Sequence, residues 1–103
     1  MLDLPSPITY NEEMRVTLDG ITYKFLYRWN ERSGHWYLSI YLLDDTPIIT
    51  GLRIIIGWNL LLNVNNLQKP QGALFFLDLS TNDGLGDPPG SDDLGNRVQG
   101  YYL

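Results

Sequence analysis

The side chains of this chain that could carry acid–base chemistry are two pairs of carboxylates and one histidine. Glu12 and Glu13, and again Asp44 and Asp45, have the residue type that glycoside hydrolysis needs. Adjacent side chains on an extended chain point in opposite directions, so adjacency in sequence does not create a site. His35 lies in a polar turn, where no positioned acid–base partner can be identified. We therefore interpret the four carboxylates as solvated turn charges and His35 as a turn or strand-edge residue.

Oxygen donors that suit calcium are concentrated in an Asp-rich segment late in the chain. The candidate ligands are Asp78, Asn82, Asp83 and Asp87. The EF-hand pattern fails there, because Gly84 comes one position late and Pro89 occupies the position of the expected glutamate. A solvated turn loop is the simpler interpretation. Whether the loop binds calcium or a basic partner surface stays open.

Composition argues against several further classes of function. The 103 residues include no cysteine and one histidine, so a disulfide framework, a thiol nucleophile and a cysteine or histidine metal cluster are excluded. Gly84 and Gly86 are followed by neither a predicted helix nor a Gly-Lys-Ser/Thr sequence, which argues against nucleotide binding. The net charge of -5 disfavours nucleic acid and anionic membrane surfaces as partners.

Neither a targeting segment nor a membrane span is predicted. The first residues have no basic and apolar run typical of a signal peptide. Residues 54–62 form the longest nearly uncharged apolar stretch, which is far shorter than the roughly 20 residues that a spanning helix needs. We therefore expect synthesis in the cytoplasm.

The side chains must be positioned by β-strands, because the dominant pattern has a period of two. Met14, Val16 and Leu18 alternate with polar residues before Asp19 and Gly20, which suit a two-residue hairpin turn. The second strand of this hairpin has one face made of Ile21, Tyr23, Phe25, Tyr27 and Trp29. Further strands are predicted at 36–43, 48–50, 52–58, 73–79 and 97–103.

These elements predict one all-β domain over residues 1–103, a small antiparallel barrel or sandwich of about six to seven strands. An extended N-terminal segment covers residues 1–13. A long loop rich in Asp, Gly and Pro covers residues 80–96 before the last strand. A loop of this length is either functional or mobile, and we expect it to be mobile until a partner orders it.

Thirteen aromatic residues are more than the core of so small a domain needs. Strand 36–43 places Tyr37, Tyr41 and Leu43 on the face opposite Trp36. Exposed aromatic side chains act as anchors in protein interfaces, whereas closure of a barrel with a covered outer face would bury them. Both interpretations stay open. The candidate interface residues are Tyr37, Tyr41, Leu43, Asp83, Asp87, Asp92, Asp93, Tyr101 and Tyr102.

An alternative function is that of a free-standing binding module for a small ligand or single-stranded nucleic acid. Four tyrosines could stack bases on an OB-like sheet, namely Tyr23, Tyr27, Tyr37 and Tyr41. Arg15, Lys24 and Arg28 could share one polar face, but they form only a modest basic patch. Core packing and surface ion pairs are the simpler interpretation of these residues.

The negative charge belongs to the late loop region rather than to the whole domain. Five of the twelve acidic residues lie there, namely Asp78, Asp83, Asp87, Asp92 and Asp93. No Lys or Arg lies between Pro70 and Asn96, and the remaining acids and bases balance. The loop is therefore where we expect a basic partner surface to bind.

The ordered set of segments resembles the small baseplate plug proteins of contractile-tailed phages, including cyanophages. The resemblance covers residues 4–103 and is carried by residues 18–25, 28–30, 36–41, 47–52, 72–78, 93–98 and 101–102, which read LDGITYKF, RWN, WYLSIY, PIITGL, GALFFLD, DLGNRV and YY. Leu42 and Leu43 depart from it, being more apolar than the polar turn expected there. The long loop varies among such proteins, so no residue role is carried onto it.

The resemblance implies a structural protein of the virion tail that sits in the central hub region of the baseplate. It implies no enzyme activity and no cofactor. The implied partners are other baseplate proteins (hub, tube or wedge subunits), and self-association stays open. We expect assembly to bury part of Tyr37, Tyr41, Tyr101 and Tyr102, because each of them falls on the second face of its strand.

Overall fold

The computed structural model describes residues 2–62, 64–66 and 68–103. These form seven strands: β1 (Leu2–Asp3), β2 (Asn11–Leu18), β3 (Ile21–Asn30), β4 (His35–Leu42), β5 (Pro47–Arg53), β6 (Leu74–Asp78) and β7 (Val98–Tyr102). One antiparallel sheet has the order β2-β3-β4-β5 and the other has the order β1-β7-β6. The fold is therefore all-β and sandwich-like, which decides between the two predicted architectures. Among the described residues there is no helix long and apolar enough to cross a membrane.

The predicted hairpin is present as β2 and β3. Asp19 and Gly20 both have positive φ angles, 53° and 81°, which is the backbone conformation of a two-residue type I′ turn. Leu18 is paired with Ile21 beside the turn, and the pairing continues back to Asn11, three residues before the predicted start of the strand. The predicted extended segment 1–13 thus ends in the hairpin and contains the short strand β1.

The sequence prediction is wrong for residues 48–58. Instead of two strands at 48–50 and 52–58, there is one irregular strand, β5, which continues through Gly51 at a φ of 67°. Beyond it the chain crosses between the sheets: the Ile54 N–H donates to the Trp36 carbonyl, and the Gly57 N–H donates to the Phe76 carbonyl. Gly57 has a φ of 74°, so the chain turns there instead of extending β5.

The core lies between the inner faces of the two sheets. Alternation directs one side of each strand inward, and the larger sheet contributes Val16, Leu18, Tyr23, Phe25, Tyr27, Trp36, Leu38 and Ile40. The smaller sheet contributes Leu74, Phe76, Val98 and Tyr102. Burial of each such side chain stabilises the fold by about 1.5–3 kcal/mol. Tyr23 and Tyr27 are 2% and 0% exposed, so neither can stack a base, as the nucleic-acid alternative required.

Tyr102 joins the smaller sheet to the β2–β3 turn. Its side chain is 4% exposed; its hydroxyl donates to Asp19 Oδ2 at 2.6 Å and accepts from the Gly72 N–H at 2.7 Å. Burial, and then the neighbouring Asp19 carboxylate, raise the pKa of the phenol. Tyr102 is therefore buried in the chain by itself, because strand alternation points it into the core and Asp19 holds it there, and its place in an interface stays a prediction.

Tyr102→Phe removes both hydrogen bonds and keeps the ring. We expect the free energy of unfolding to fall by about 1–3 kcal/mol, because the Asp19 carboxylate and the Gly72 N–H both lose a partner. Urea unfolding measures the change. Tyr101→Phe is the matched control on the outer face, expected to change stability by no more than about 0.5 kcal/mol. Equal effects of the two substitutions would contradict the assigned role of Tyr102.

Candidate interaction surfaces

The outer face of the four-stranded sheet carries aromatic and cationic side chains in rows. Pairing between strands places Arg28 opposite Tyr37, and Tyr37 opposite Arg53. A second row places Lys24 opposite Tyr41. Tyr37 and Tyr41 are half-buried in the described chain, while Arg28 and Arg53 are exposed. The sequence prediction that these tyrosines lie on the outer face of β4 agrees with this arrangement.

An open depression of about 780 Å³ lies on this outer face. Leu26, Tyr37 and Tyr41 supply apolar and aromatic lining, and Arg28 and Arg32 supply cationic lining. Ser39 is buried beneath it, with its hydroxyl accepting the Gly51 N–H at 3.0 Å. We call this surface the basic sheet face, and it consists of Arg15, Lys24, Leu26, Arg28, Arg32, Tyr37, Tyr41 and Arg53.

The basic sheet face contains five of the seven Lys and Arg residues of an acidic chain. Lys24 is paired with Asp45 at 2.6 Å. Within residues 2–62, 64–66 and 68–103, the four arginines of this face make no ion pair. The acidic residues on or beside this face include Glu13, which is exposed and paired with Leu26, and Glu31, which lines the depression and accepts the Trp29 indole N–H. The face therefore has a local charge opposite to that of the whole chain.

The outer face of the three-stranded sheet has a different chemistry. Phe75 is paired with Tyr101, and both are half-buried, as is Leu77 on the same face. Leu79 and Leu85 are large exposed side chains that follow β6. None of β1, β6 and β7 contains a Lys or Arg. We call Phe75, Leu77, Leu79, Leu85 and Tyr101 the apolar sheet face.

The base of the late loop is tied together by Arg97. Its guanidinium donates to Asp78 Oδ2 at 2.5 Å and to Asp93 Oδ2 at 3.1 Å. It also donates to the carbonyls of Asp87 and Pro88, each at 3.2 Å. Trp36 adds a link from the larger sheet, because its indole N–H donates to the Gly90 carbonyl at 2.8 Å. The expected mobility of the loop stays a prediction.

Hydrogen bonds lower the pKa of two aspartates of the loop region, Asp78 and Asp93. For Asp78 the main cause is hydrogen bonding from the Ser80 hydroxyl and N–H, and Arg97 adds to it. For Asp93 the main cause is the Gly90 N–H, and Arg97 again adds to it. The side chain of Asp93 is therefore half-buried and bound to Gly90 and Arg97, whereas the side chains of Asp83, Asp87 and Asp92 are exposed.

The arrangement of the loop does not favour the calcium alternative. Asp78, the first of the four candidate ligands, directs Oδ2 at Arg97 and Oδ1 at Ser80. A cationic guanidinium beside this carboxylate opposes the binding of a divalent cation there. Asp83 Oδ1 accepts the Leu85 N–H. In the part of the chain that the structure describes, no group of three or more acidic, His or Cys residues could hold a metal ion.

Two of the candidate acid–base residues, Glu12 and Asp44, hold turns through hydrogen bonds. Glu12 Oε1 accepts the N–H groups of Ile8 and Thr9, and so closes the turn that precedes β2. Hydrogen bonding from the Thr46 side chain is the main reason that the pKa of Asp44 is lowered, and the Thr46 N–H, which donates to Asp44 Oδ1, adds to it. His35 has a buried Nδ1 atom without a hydrogen-bond partner among the described residues. No nucleophile–base pair is formed by these residues.

The predicted interface residues do not form one site. Tyr37 and Tyr41 lie on the basic sheet face, Tyr101 lies on the apolar sheet face, and Leu43 is exposed just beyond β4. Asp92 lines a separate groove of about 680 Å³ between residues 6–10 and 91–96, where its Oδ1 accepts the Tyr10 hydroxyl at 3.3 Å.

Sequence reasoning missed Arg53 and Arg32 as members of the basic sheet face, and it missed Phe75 and Leu77 on the apolar sheet face. A usable signal existed for Arg53, because it is the one charged residue in an otherwise apolar segment. For Phe75 the signal pointed the wrong way, because Asp78 is the one charged residue of strand 73–79 and it lies on the opposite face, which is the buried one.

Comparison with known proteins identifies a family that the chain matches along its length. A family model described as "Cyanophage baseplate Pam3 plug gp18" matches residues 1–103. No curated protein matches the chain. The family match covers every strand of both sheets and both outer faces.

Acid should weaken the base of the late loop. Folding lowers the pKa of Asp78, so its carboxylate stabilises the folded state at pH values above its ordinary pKa of 3.8. This stabilisation is lost as the pH falls through the lower pKa that the group has in the folded state. Asp78→Asn should lower the Tm at pH 7 by about 5 °C or more and reduce the acid dependence. Thermal unfolding between neutral and acidic pH measures both, with the exposed Asp87→Asn as control. An unchanged Tm for Asp78→Asn would contradict the role of this carboxylate.

Proposed function

The chain belongs to the family of cyanophage baseplate plugs, and from this premise we propose that it packs in the central hub region of a contractile-tail baseplate. Membership makes it a structural component of a phage baseplate. The finer proposal is that it is held there by protein–protein contacts with hub, tube or wedge subunits. It is synthesised in the host cytoplasm and reaches the virion by assembly.

The observation that carries this proposal is that both outer faces of the sandwich are suited to binding. The basic sheet face presents Tyr37 and Tyr41 among arginines, which are residue types enriched at interface hot spots. The apolar sheet face presents Phe75 and Tyr101 with neighbouring exposed leucines. A subunit with a contact surface on each side can fill the space between two larger neighbours.

The proposed role is structural and needs no chemistry. Glu12, Asp44 and Asp78, which are carboxylates, accept hydrogen bonds that hold turns and the late loop. A plug does its work by occupying space, so stability and complementary surfaces are the properties it requires. We therefore propose that the chain is not an enzyme and that it uses no cofactor.

A second candidate function rests on the basic sheet face. Tyr37, Tyr41 and the surrounding arginines could bind single-stranded nucleic acid or a small ligand in the depression of about 780 Å³. Burial of Tyr23 and Tyr27 removes half of the tyrosines that this function would use for stacking. The alternative is therefore the weaker one, and a gel shift at low salt with a single-stranded oligonucleotide tests it.

The location of the protein tests the proposed function directly. We expect mass spectrometry to find the chain in purified phage particles that encode it. Antibody labelling should place it at the tail tip, where the baseplate lies. Presence in infected cells but absence from purified particles would contradict the proposal.

An exposed leucine of the apolar sheet face provides a test of the contacts. Leu79 is 56% exposed, and Leu79→Ser should lower incorporation into particles several-fold, because interface anchors lose affinity when truncated. Ile21→Ser is the matched control, since Ile21 is 52% exposed in the β2–β3 hairpin. Quantitative mass spectrometry of purified particles gives the ratio. Equal incorporation of both variants would argue against a contact at the apolar sheet face.

A further inference from the structure

We propose that the basic sheet face binds an acidic segment of a neighbouring baseplate protein. The segment supplies aspartate or glutamate side chains to Arg28 and Arg53, and it packs apolar atoms against Tyr37 and Leu26. This inference rests on the proposed function and deepens it, because it names the chemistry of one partner.

The geometry that carries the inference is the row of Arg28, Tyr37 and Arg53 across three strands. Directly paired residues lie side by side, so the two arginines flank the ring of Tyr37 on the same face. Adjacent strands are about 4.8 Å apart, which places the two arginine backbones about 10 Å apart. A partner that offers two carboxylates at this separation can meet both guanidinium groups at once.

The charge of the face selects for anions. Lys24 is already paired with Asp45, but Arg15, Arg28, Arg32 and Arg53 make no ion pair within the described residues. A guanidinium binds a carboxylate through two parallel hydrogen bonds, and this geometry is stronger and more specific than a point-charge contact. Four arginines without ion pairs on one face of a chain with net charge -5 are therefore a specific feature of this surface.

The lining of the depression favours a protein over a nucleic acid. Leu26, Tyr37 and Tyr41 line the depression together with Arg28, Arg32 and Glu31, and Arg53 is paired with Tyr37 beside it. Aromatic and arginine side chains are enriched in protein interfaces. A nucleic acid strand would extend past this patch and approach the surplus of acidic residues elsewhere on the domain, which would repel its phosphates.

The first test is photo-crosslinking in assembled particles. A photoreactive phenylalanine analogue replaces Tyr37, and mass spectrometry identifies what is captured. We expect a segment of another baseplate protein with aspartate or glutamate residues at the crosslink. Capture of nucleic acid, of a segment without acidic residues, or of nothing would overturn the inference.

The second test removes the two arginines of the row without adding bulk. Arg28→Gln with Arg53→Gln should lower incorporation into particles about tenfold or more, because two charge-assisted contacts are lost. The control pair, Gln71→Glu with Asn82→Asp, changes the net charge by the same amount at exposed positions near the other sheet. It should retain incorporation within about twofold.

The outcomes separate this inference from the proposed function. Thermal unfolding of each purified variant first shows that the fold is kept, since all four positions are exposed. Equal incorporation of both double variants, whether retained or lost, would overturn the inference, because the effect would not depend on the arginine row. Absence of the wild-type chain from purified particles would instead overturn the proposed function.

Discussion

A three-stranded sheet with one strand of two residues cannot bury its apolar side chains by itself. Here these side chains are buried against the inner face of the four-stranded sheet. The polar links between the sheets and the placement of charge both depend on this contact. Tyr102 from the smaller sheet reaches the β2–β3 turn, and the Trp36 indole of the larger sheet reaches the late loop. Each of these links is made by the polar group of an aromatic side chain whose ring is buried in the core. They orient the two sheets, whereas the apolar contact holds them together.

The same contact decides where charge can lie. Inner positions of the strands are filled by apolar residues, so charged side chains occupy the outer faces and the loops. Cations are concentrated on the basic sheet face, and acids are concentrated in the loop region that precedes β7. Asp78 is the exception, because it lies on an inward position of β6 and is buried. Arg97 and Ser80 compensate that buried carboxylate, and in doing so they fix the base of the loop.

Local patterns predicted much of this fold, and long-range packing accounts for the rest. The hairpin was predictable because Asp19, Gly20 and the alternation around them act over neighbouring residues. The end of β5 was not predictable from local sequence, because Gly57 turns the chain toward Phe76 of β6, which lies about twenty residues later. Tyr101 and Tyr102 are chemically identical, and only the pairing of β7 with β6 decides which of the two faces the core. Arg97 has no distinctive local signal either, since its partners lie up to nineteen residues away.

The small size of the domain gives its outer faces an energetic role. A chain of about 100 residues buries only about two thirds of the surface that its unfolded form exposes, so its margin of stability is small. A partner that binds only the folded state adds to that margin in proportion to the logarithm of its concentration over its dissociation constant. Within an assembled baseplate, a neighbour bound to the basic or apolar sheet face, as proposed above, would have a high effective concentration. The side chains that one small core cannot absorb would thus stabilise the subunit once it is in place.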